Sequence, residues 1–288
     1  MRCAKAVAFI FAACLALMTA TLGHADEVRP QRVVSLNMCT DELLLRLADP
    51  GQIASVSWLS QDPRNANLPD EAKLHPANHG LAEEVLSYDP DLVLAGAFTT
   101  RTTVALLKRT GMRVIEVGVP RSFAETRQNI RDIARALGQQ SKGEALIREM
   151  DERLEQLAAQ VAGPPLKAIV LRPNGFTVGR GSLIDEILKR AGLDNLAARL
   201  EIDNYLQIPL EAVVLQKAEI LILNGDSESA PSLATQALHH PIVTALAEKL
   251  RLFDMPSRLW TCAGPSIVDA VQLLIERTRA PSSERPPS

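Results

Sequence analysis

The chain of 288 residues is poor in aromatic side chains, which make up 3 % of it, and contains only four cysteines. So few cysteines exclude a disulfide-rich scaffold, and the fold must therefore depend on hydrophobic cores. The chain also lacks a basic stripe interleaved with aromatics, which argues against nucleic-acid binding. No G-x-S-x-G elbow, Walker A sequence or strand-following G-x-G-x-x-G occurs. We therefore predict no catalytic residues and no cofactor.

An apolar run at the N terminus is too short for a typical membrane span. Arg2 and Lys5 precede this run, which covers residues 7–17, and Gly23-His24-Ala25 forms a small-x-small cleavage motif. This pattern predicts a signal peptide over residues 1–25 and a soluble, secreted protein, most plausibly periplasmic. Removal of the two cations changes the formal net charge from −3 to −5, since −3 − 2 = −5.

Strands alternate with helices on both sides of one long helical stretch, which predicts an α/β fold. Residues 141–161 contain no proline, and their apolar side chains recur every three or four positions, as on one face of a helix. Gly163-Pro164-Pro165 ends this stretch. The sequence therefore predicts an N-terminal lobe over 26–138, a connecting helix over 139–163, a C-terminal lobe over 164–279 and a disordered tail over 280–288.

Two short motifs recur in the same order in the two predicted lobes. In the first half, a predicted strand and loop lead into a helix that contains Asp41-Glu42-Leu43-Leu44. In the second half, a strand and loop lead in the same way into a helix that contains Asp185-Glu186-Ile187-Leu188. Glu83 and Glu211 stand at equal distances from the strands that follow them. These matches predict a duplicated architecture, with one Rossmann-like sheet in each lobe.

In open α/β sheets, the loops at the carboxyl ends of the strands form the binding surface. Both tryptophans, Trp58 and Trp260, fall in such loops; we expect them to line a cleft, although they could simply plug loop ends. A group of arginines in the same loops indicates an anionic or carbonyl-rich ligand. The predicted ligand-binding residues from these loops are Asn37, Cys39, Trp58, Phe98, Arg101, Arg172, Arg180, Arg258 and Trp260.

Cys39 and Cys262 lie at strand ends that face the expected cleft. They could pair in an oxidising compartment, but a disulfide across the lobes would restrict opening, so we expect unpaired thiols. His75 and His79 lie four apart in a loop, far along the chain from His239-His240. A bare metal ion needs three or four converging ligands, and we therefore predict no metal site.

Over roughly residues 32–277, the sequence resembles the periplasmic substrate-binding proteins of ABC importers for ferric siderophores, haem and vitamin B12. The resemblance rests on Arg32-Val-Val-Ser-Leu, the segment Leu86-Ser-Tyr-Asp-Pro-Asp-Leu-Val-Leu-Ala, the single long helix and residues 260–274. It implies two Rossmann-like lobes joined by one long rigid helix, the class III architecture. The ligand would be held between the lobes, with only slight hinge motion.

The resemblance also implies a partner and a cargo. Each lobe of such proteins presents a glutamate to arginines of the permease, and Glu83 and Glu211 match those positions. Either residue could instead be an acid that favours a helix start. Tyr205 falls where vitamin B12 binders often place a stacking aromatic, and Phe98 lies near another such position.

We therefore expect a monomeric periplasmic carrier, without enzymatic activity, that delivers a metal chelate to an ABC permease. A ferric siderophore is the first expectation because of the arginines, followed by a corrinoid and then by haem. One alternative is a carrier of bare zinc or manganese ions within the same fold. The other alternative is a secreted α/β enzyme.

Overall fold

The computed structural model describes residues 29–200, 203–209, 217–224, 241, 243, 245 and 250–279. The predicted signal peptide, the tail from residue 280 and Glu211 lie outside these residues. Within them, the chain forms two parallel sheets flanked by helices and one small antiparallel pair of strands. No helix in this part of the chain is both long enough and apolar enough to cross a bilayer.

The first lobe is built on a parallel sheet of five strands. They are Val33–Ser35 (β1), Ile53–Ser57 (β2), Ala77–Asn78 (β3), Leu92–Gly96 (β4) and Val114–Val117 (β5). Their order across the sheet is β3-β2-β1-β4-β5. β2 and β3 thus lie on one side of β1, and β4 and β5 lie on the other side. The switch point of the strand order is therefore between β1 and β4. Both of these strands are almost entirely buried, as expected where helices cover both faces.

Five helices accompany this sheet, and polar side chains begin two of them. The helices are Met38–Leu47 (α1), Pro69–Ala72 (α2), Ala82–Ser87 (α3), Arg101–Arg109 (α4) and Phe123–Ala136 (α5). Asn37 accepts a hydrogen bond from the Cys39 amide at 2.9 Å, which fixes the start of α1. Ser122 does the same for α5 through the Glu125 amide at 3.1 Å.

One long helix, Gln140–Ala158 (α6), follows α5 and precedes the second sheet. It begins one residue after the predicted start at residue 139 and ends five residues before the predicted end at residue 163. Its apolar face, which includes Ile147 and Leu154, is buried against neighbouring helices. On its polar side, Arg131 of α5 pairs with Glu144 at 2.7 Å. The chain itself therefore places a helix of 19 residues between the two sheets.

The second lobe repeats the parallel arrangement of the first. Its strands are Leu166–Leu171 (β6), Phe176–Val178 (β7), Leu193–Asn195 (β8), Tyr205–Gln207 (β9), Ile220–Leu223 (β10) and Arg251–Asp254 (β11). The parallel sheet has the order β11-β10-β6-β8, and β7 pairs with β9 in antiparallel fashion. Here the strand order switches between β6 and β10. The described helices of this lobe are Leu183–Arg190 (α7), Leu196–Arg199 (α8) and Ser266–Arg279 (α9).

The last helix of the second lobe, α9, packs against α6 and α7. Arg153 of α6 donates a hydrogen bond to Asp269 of α9 at 2.6 Å, as Arg131 of α5 does to Glu144 of α6. The connecting helix is therefore bonded to the final helix of each lobe. The predicted α/β class, with a parallel Rossmann-like sheet in each lobe, is confirmed.

Candidate functional site

A cavity of about 710 Å³ lies between the two sheets, at the carboxyl ends of their strands. The first lobe contributes the loops after β1, β4 and β5 to its lining. The second lobe contributes the loop after β6, the start of α7, the β9 strand and the loop before α9. Each sheet thus presents loops next to its own switch point, which is where doubly wound folds bind ligands.

Six of the ten residues predicted to bind ligand line this cavity: Asn37, Cys39, Phe98, Arg172, Tyr205 and Trp260. They differ in exposure. The Phe98 side chain is 87 % exposed and Tyr205 is 50 % exposed, whereas Trp260 is only 3 % exposed. Phe98 and Tyr205 therefore offer aromatic surface to a ligand at little cost to the fold, and Trp260 forms part of a packed wall.

Arg172 and Tyr205 form a pair on the second-lobe side of the cavity. The guanidinium carbon of Arg172 lies 5.3 Å from the centroid of the Tyr205 ring, within the range of a cation–π contact. Among the described residues, no acidic side chain pairs with Arg172. The pair therefore presents one positive charge and one aromatic face together.

Arg121 is a cavity residue that the sequence reasoning missed. It follows Pro120 in the loop after β5, so the rule that selected the other loops also applies to it. Its Nε donates a hydrogen bond to the carbonyl of Gly181, in the second lobe, at 2.9 Å. The positive charges around the cavity are thus divided between the lobes, with Arg121 on one and Arg172 on the other.

Three predicted arginines do not line the cavity. Arg101 is exposed at the first position of α4. Arg180 donates a hydrogen bond to Asp203 at 2.5 Å, and this bond lowers the pKa of the Asp203 carboxyl. Arg258 donates to the side-chain oxygen of Asn67 at 3.1 Å. The last two are held by neighbouring polar groups, which a loop position in the sequence does not reveal.

Trp58 also lies away from the cavity, although its loop follows a strand of the first sheet. It begins a short 3-10 helix and remains 49 % exposed. Its ring stacks on that of His79, with 5.9 Å between the ring centroids. β2 is separated from the switch point by β1, so its loop opens beside the cavity and not into it.

Cys39 and Cys262 form a disulfide, so our expectation of unpaired thiols was wrong. The bond joins the start of α1 to the loop before α9, and their Cα atoms are 4.8 Å apart. The expectation depended on the argument that a cross-link would restrict opening of the lobes. The structure brings the two lobes together at this edge of the cavity, close enough for the bond to form.

Among the described residues that line the cavity there is no histidine, aspartate or glutamate, and the one cysteine is bonded to another cysteine. The described part of the chain also has no cluster of three such side chains that could hold a metal ion. His75 is partly buried, and this burial lowers the pKa of its imidazole. With arginines as its charged groups, the cavity suits oxygen-bearing ligands better than a bare cation.

Asp41 lies beside the cavity loops and is completely buried in the first turn of α1. One carboxyl oxygen accepts hydrogen bonds from the Ser57 amide at 3.0 Å and the Ser60 hydroxyl at 2.5 Å. Its other oxygen has no partner among the described residues. Burial raises the pKa of this carboxyl to about 7 from 3.8, despite those hydrogen bonds.

We expect Asp41 to make the free energy of unfolding depend on pH. Because the folded pKa is raised, the folded state keeps this proton between pH 4 and 7 while the unfolded state releases it. Stability should therefore fall across this window, by roughly 4 kcal/mol at most, and should not change further above it. Asp41→Asn should remove this fall when denaturant unfolding is measured from pH 4.5 to 8.

The matched control for this experiment is Asp185→Asn in the second lobe. Asp185 occupies the equivalent position in α7 but pairs with Lys189 at 2.7 Å, so its substitution removes an ion pair. Parallel pH profiles for the wild type and Asp41→Asn would contradict a protonated Asp41.

Glu83 is exposed in the first turn of α3, and its carboxylate has no partner among the described residues. The adjacent Glu84 instead accepts a hydrogen bond from the His79 amide at 2.7 Å. Of the two acids, Glu83 is thus the one free to meet another molecule.

Comparison with known proteins agrees with this architecture. A family model described as periplasmic binding protein matches residues 33–259. YvrC, an ABC transporter substrate-binding lipoprotein of Bacillus subtilis (strain 168), is 24 % identical over 264 residues, which are 86 % of this chain and 79 % of that protein. A cobalamin-binding protein of Halobacterium salinarum is 25 % identical over 215 residues. That alignment covers 73 % of this chain, which spans 58 % of the length of the Halobacterium protein.

A solved structure shows the same fold. A periplasmic haem-binding protein from Pseudomonas aeruginosa matches with a TM-score of 0.71 at 23 % identity, covering 90 % of this chain and 95 % of that one. Since the family model spans well over half of the sequence, the chain belongs to the periplasmic binding protein family.

Proposed function

We propose that this protein captures a metal chelate in the cavity between its lobes and delivers it to an ABC permease. As a periplasmic binding protein, it is a carrier and not an enzyme, it acts outside the cytoplasm, and its ligand is cargo and not a cofactor. The observation that carries the proposal is the composition of the cavity. Apolar walls surround two arginines, one from each lobe, and none of the described lining residues is an acid that would repel carboxylate or carbonyl oxygens.

Among chelates, the cavity favours a corrinoid over a ferric siderophore, which reverses the order expected from the sequence. That order depended on four arginines, of which only Arg172 lines the cavity. A corrinoid presents a broad apolar edge and peripheral amide oxygens, which fit apolar walls with few charges. The relative in Halobacterium, whose name is cobalamin-binding protein, adds support. The apolar lining includes Leu43, Val117, Val119, Leu183 and Ile184.

The fluorescence of Trp260 provides a signal for cargo binding. The protein has two tryptophans, so Trp58→Phe leaves Trp260, in the cavity wall, as the sole indole. We expect cyanocobalamin to quench this fluorescence with a Kd below roughly 1 µM. Haemin, a ferric hydroxamate and the bare ions Zn²⁺ and Mn²⁺ form the other arms of the titration. Saturable quenching by a ferric chelate alone would identify a siderophore as cargo, and tight binding of bare ions alone would overturn the proposal.

Two half-exposed aromatics provide a matched pair of variants for the cavity itself. Tyr205 is 50 % exposed and lines the cavity, whereas Trp58 is 49 % exposed and lies outside it. Tyr205→Ala should weaken cargo binding about tenfold, which corresponds to about 1.4 kcal/mol, because it removes a stacking surface. Trp58→Ala should change the affinity less than twofold. Equal effects in calorimetric titrations of the two variants would mean that the cavity is misassigned.

The proposal includes export through a cleaved signal peptide over residues 1–25, a monomeric state, and docking to the permease through Glu83 and Glu211. The basic start and apolar core of the sequence support export. The disulfide fits an oxidising compartment such as the periplasm. The unpaired, exposed carboxylate of Glu83 supports docking, since an arginine of a partner can reach it.

A further inference from the structure

The first helix of each lobe carries the same pair of charged residues. In α1, Glu42 pairs with Arg46 at 3.1 Å, and in α7, Glu186 pairs with Arg190 at 2.9 Å. The two glutamates occupy matching positions of the repeated sequence motif, near the start of their helices: Glu186 lies in the first turn of α7 and Glu42 just after the first turn of α1. The two lobes therefore hold a carboxylate at equivalent places, each fixed by an arginine one turn later.

Each of these glutamates also bonds to the opposite lobe. The Ser266 hydroxyl donates to Glu42 Oε2 at 3.3 Å, and the Phe123 amide donates to Glu186 Oε2 at 2.8 Å. Ser266 is the first residue of α9 and Phe123 is the first residue of α5. A carboxylate is favourable at a helix start, so each lobe supplies an acid to the last helix of the other. We name these the Glu42 contact and the Glu186 contact.

The main difference between the two contacts is the disulfide. Cys39 lies three residues before Glu42, and Cys262 lies four residues before Ser266, so the bond closes the lobes beside the Glu42 contact. The residues at the same offsets from the Glu186 contact are Leu183 and Val119. Both are apolar residues that line the cavity, and no covalent bond joins them.

The Glu42 contact is reinforced further by the loop of the first lobe. Asn67 donates to Glu42 Oε2 at 3.2 Å and to the Arg258 carbonyl at 2.8 Å, which again links the lobes. A Cβ atom at Gly264 would lie 3.0 Å from the Glu42 carboxyl carbon, so the glycine permits this close approach. The Glu186 contact has a stacked cation instead, since Arg190 lies 4.4 Å from the centroid of the Phe123 ring.

From this asymmetry we infer that the Glu42 contact, with the disulfide beside it, is a fixed pivot. The Glu186 contact is the latch at which the lobes separate. The bonds that the described residues form across the Glu186 contact, including that from Arg121 to Gly181, are non-covalent and reversible. Opening there uncovers the cavity beside Val119 and Leu183, whereas the disulfide limits separation at the opposite edge. Cargo therefore enters and leaves past the Glu186 contact. The statement about cargo rests on the proposed function, but the latch itself does not.

Hydrogen exchange of the cargo-free protein, followed by mass spectrometry, tests the latch. Glu186→Ala should speed amide exchange at least tenfold on both sides of its contact, in residues 119–123 and 179–184. Glu42→Ala is the matched control, because it removes the acid at the matching motif position and the same kind of ion pair from the other lobe. With the disulfide intact, it should change exchange in residues 262–268 less than threefold.

Removal of the disulfide completes the comparison. In a Cys39→Ser/Cys262→Ser background, Glu42→Ala should speed exchange in residues 262–268 at least tenfold, as Glu186→Ala does at its own edge. The inference is overturned if Glu42→Ala opens its edge with the disulfide intact, or if Glu186→Ala changes exchange in one lobe only.

A cargo measurement separates this inference from the proposed function. The chelate should dissociate at least tenfold faster from Glu186→Ala than from Glu42→Ala. If exchange behaves as expected but no chelate binds the wild type, the latch stands and the proposed function fails. If a chelate binds but leaves both variants at equal rates, the route of cargo past the Glu186 contact is overturned and the proposed function stands.

Discussion

Glu83→Lys is expected to abolish uptake of the cargo while its affinity for the purified protein stays unchanged. Glu83 is exposed at the start of α3, has no partner among the described residues, and lies outside the cavity lining. A lysine there cannot pair with a permease arginine and repels it. Uptake by cells, cargo affinity and melting temperature are the three measurements. The loss of the helix-start acid alone should lower stability by no more than about 1 kcal/mol.

Glu155→Lys is the control for this charge reversal. Glu155 is likewise exposed and without a side-chain partner among the described residues, but it lies near the end of the connecting helix. Its reversal should leave uptake normal. Glu211, the proposed counterpart in the second lobe, lies outside the described residues, and Glu211→Lys should repeat the loss seen for Glu83→Lys. Normal uptake by Glu83→Lys and Glu211→Lys would exclude the docking role. Loss of cargo binding in either of these two variants would mean that the cavity is elsewhere.

The second large effect is expected from the disulfide. Cys39→Ser/Cys262→Ser should lower the free energy of unfolding by about 5 kcal/mol, because the bond closes a loop across 223 positions of sequence. For a chain of this size, the melting temperature should fall by roughly 10 °C or more. Scanning calorimetry of the oxidised wild type and the double variant measures the difference.

Reduction provides an internal check on this result. A reductant should lower the melting temperature of the wild type to that of the double variant and leave the variant unchanged. If the oxidised wild type and the variant melt within 2 °C of one another, the disulfide does not constrain the unfolded chain.

The sequence predicts those parts of the fold that depend on local pattern. The period of apolar residues in the connecting helix predicted its buried face, and the helix differs from the predicted range of 139–163 by one residue at its start and five at its end. The repeated Asp-Glu motif predicted equivalent helices in the two lobes, which α1 and α7 are. These features arise from neighbours along the chain, so a single sequence contains them.

The cavity residues were predicted less well, because a loop position does not determine what a side chain contacts. Arg258 was expected at the ligand, yet it bonds to Asn67, which lies 191 positions away. Arg121 was missed although it lies in a loop of the same kind. The disulfide was judged from an assumed motion of the lobes and not from distance, which only the folded chain provides.

The positions of the two bonded cysteines also bear on how the protein is made. Past the predicted cleavage site, the chain contains only these two cysteines, and one stands near each end of it. In the proposed export from N to C terminus, the Cys39 thiol emerges early and has no partner in its own chain until the last stretch, with Cys262, has followed. With residues 1–25 removed as proposed, two cysteines remain, so no intramolecular mispairing is possible. On this proposal the cross-link is a late step of biogenesis, which forms once both cysteines have reached an oxidising compartment and come together.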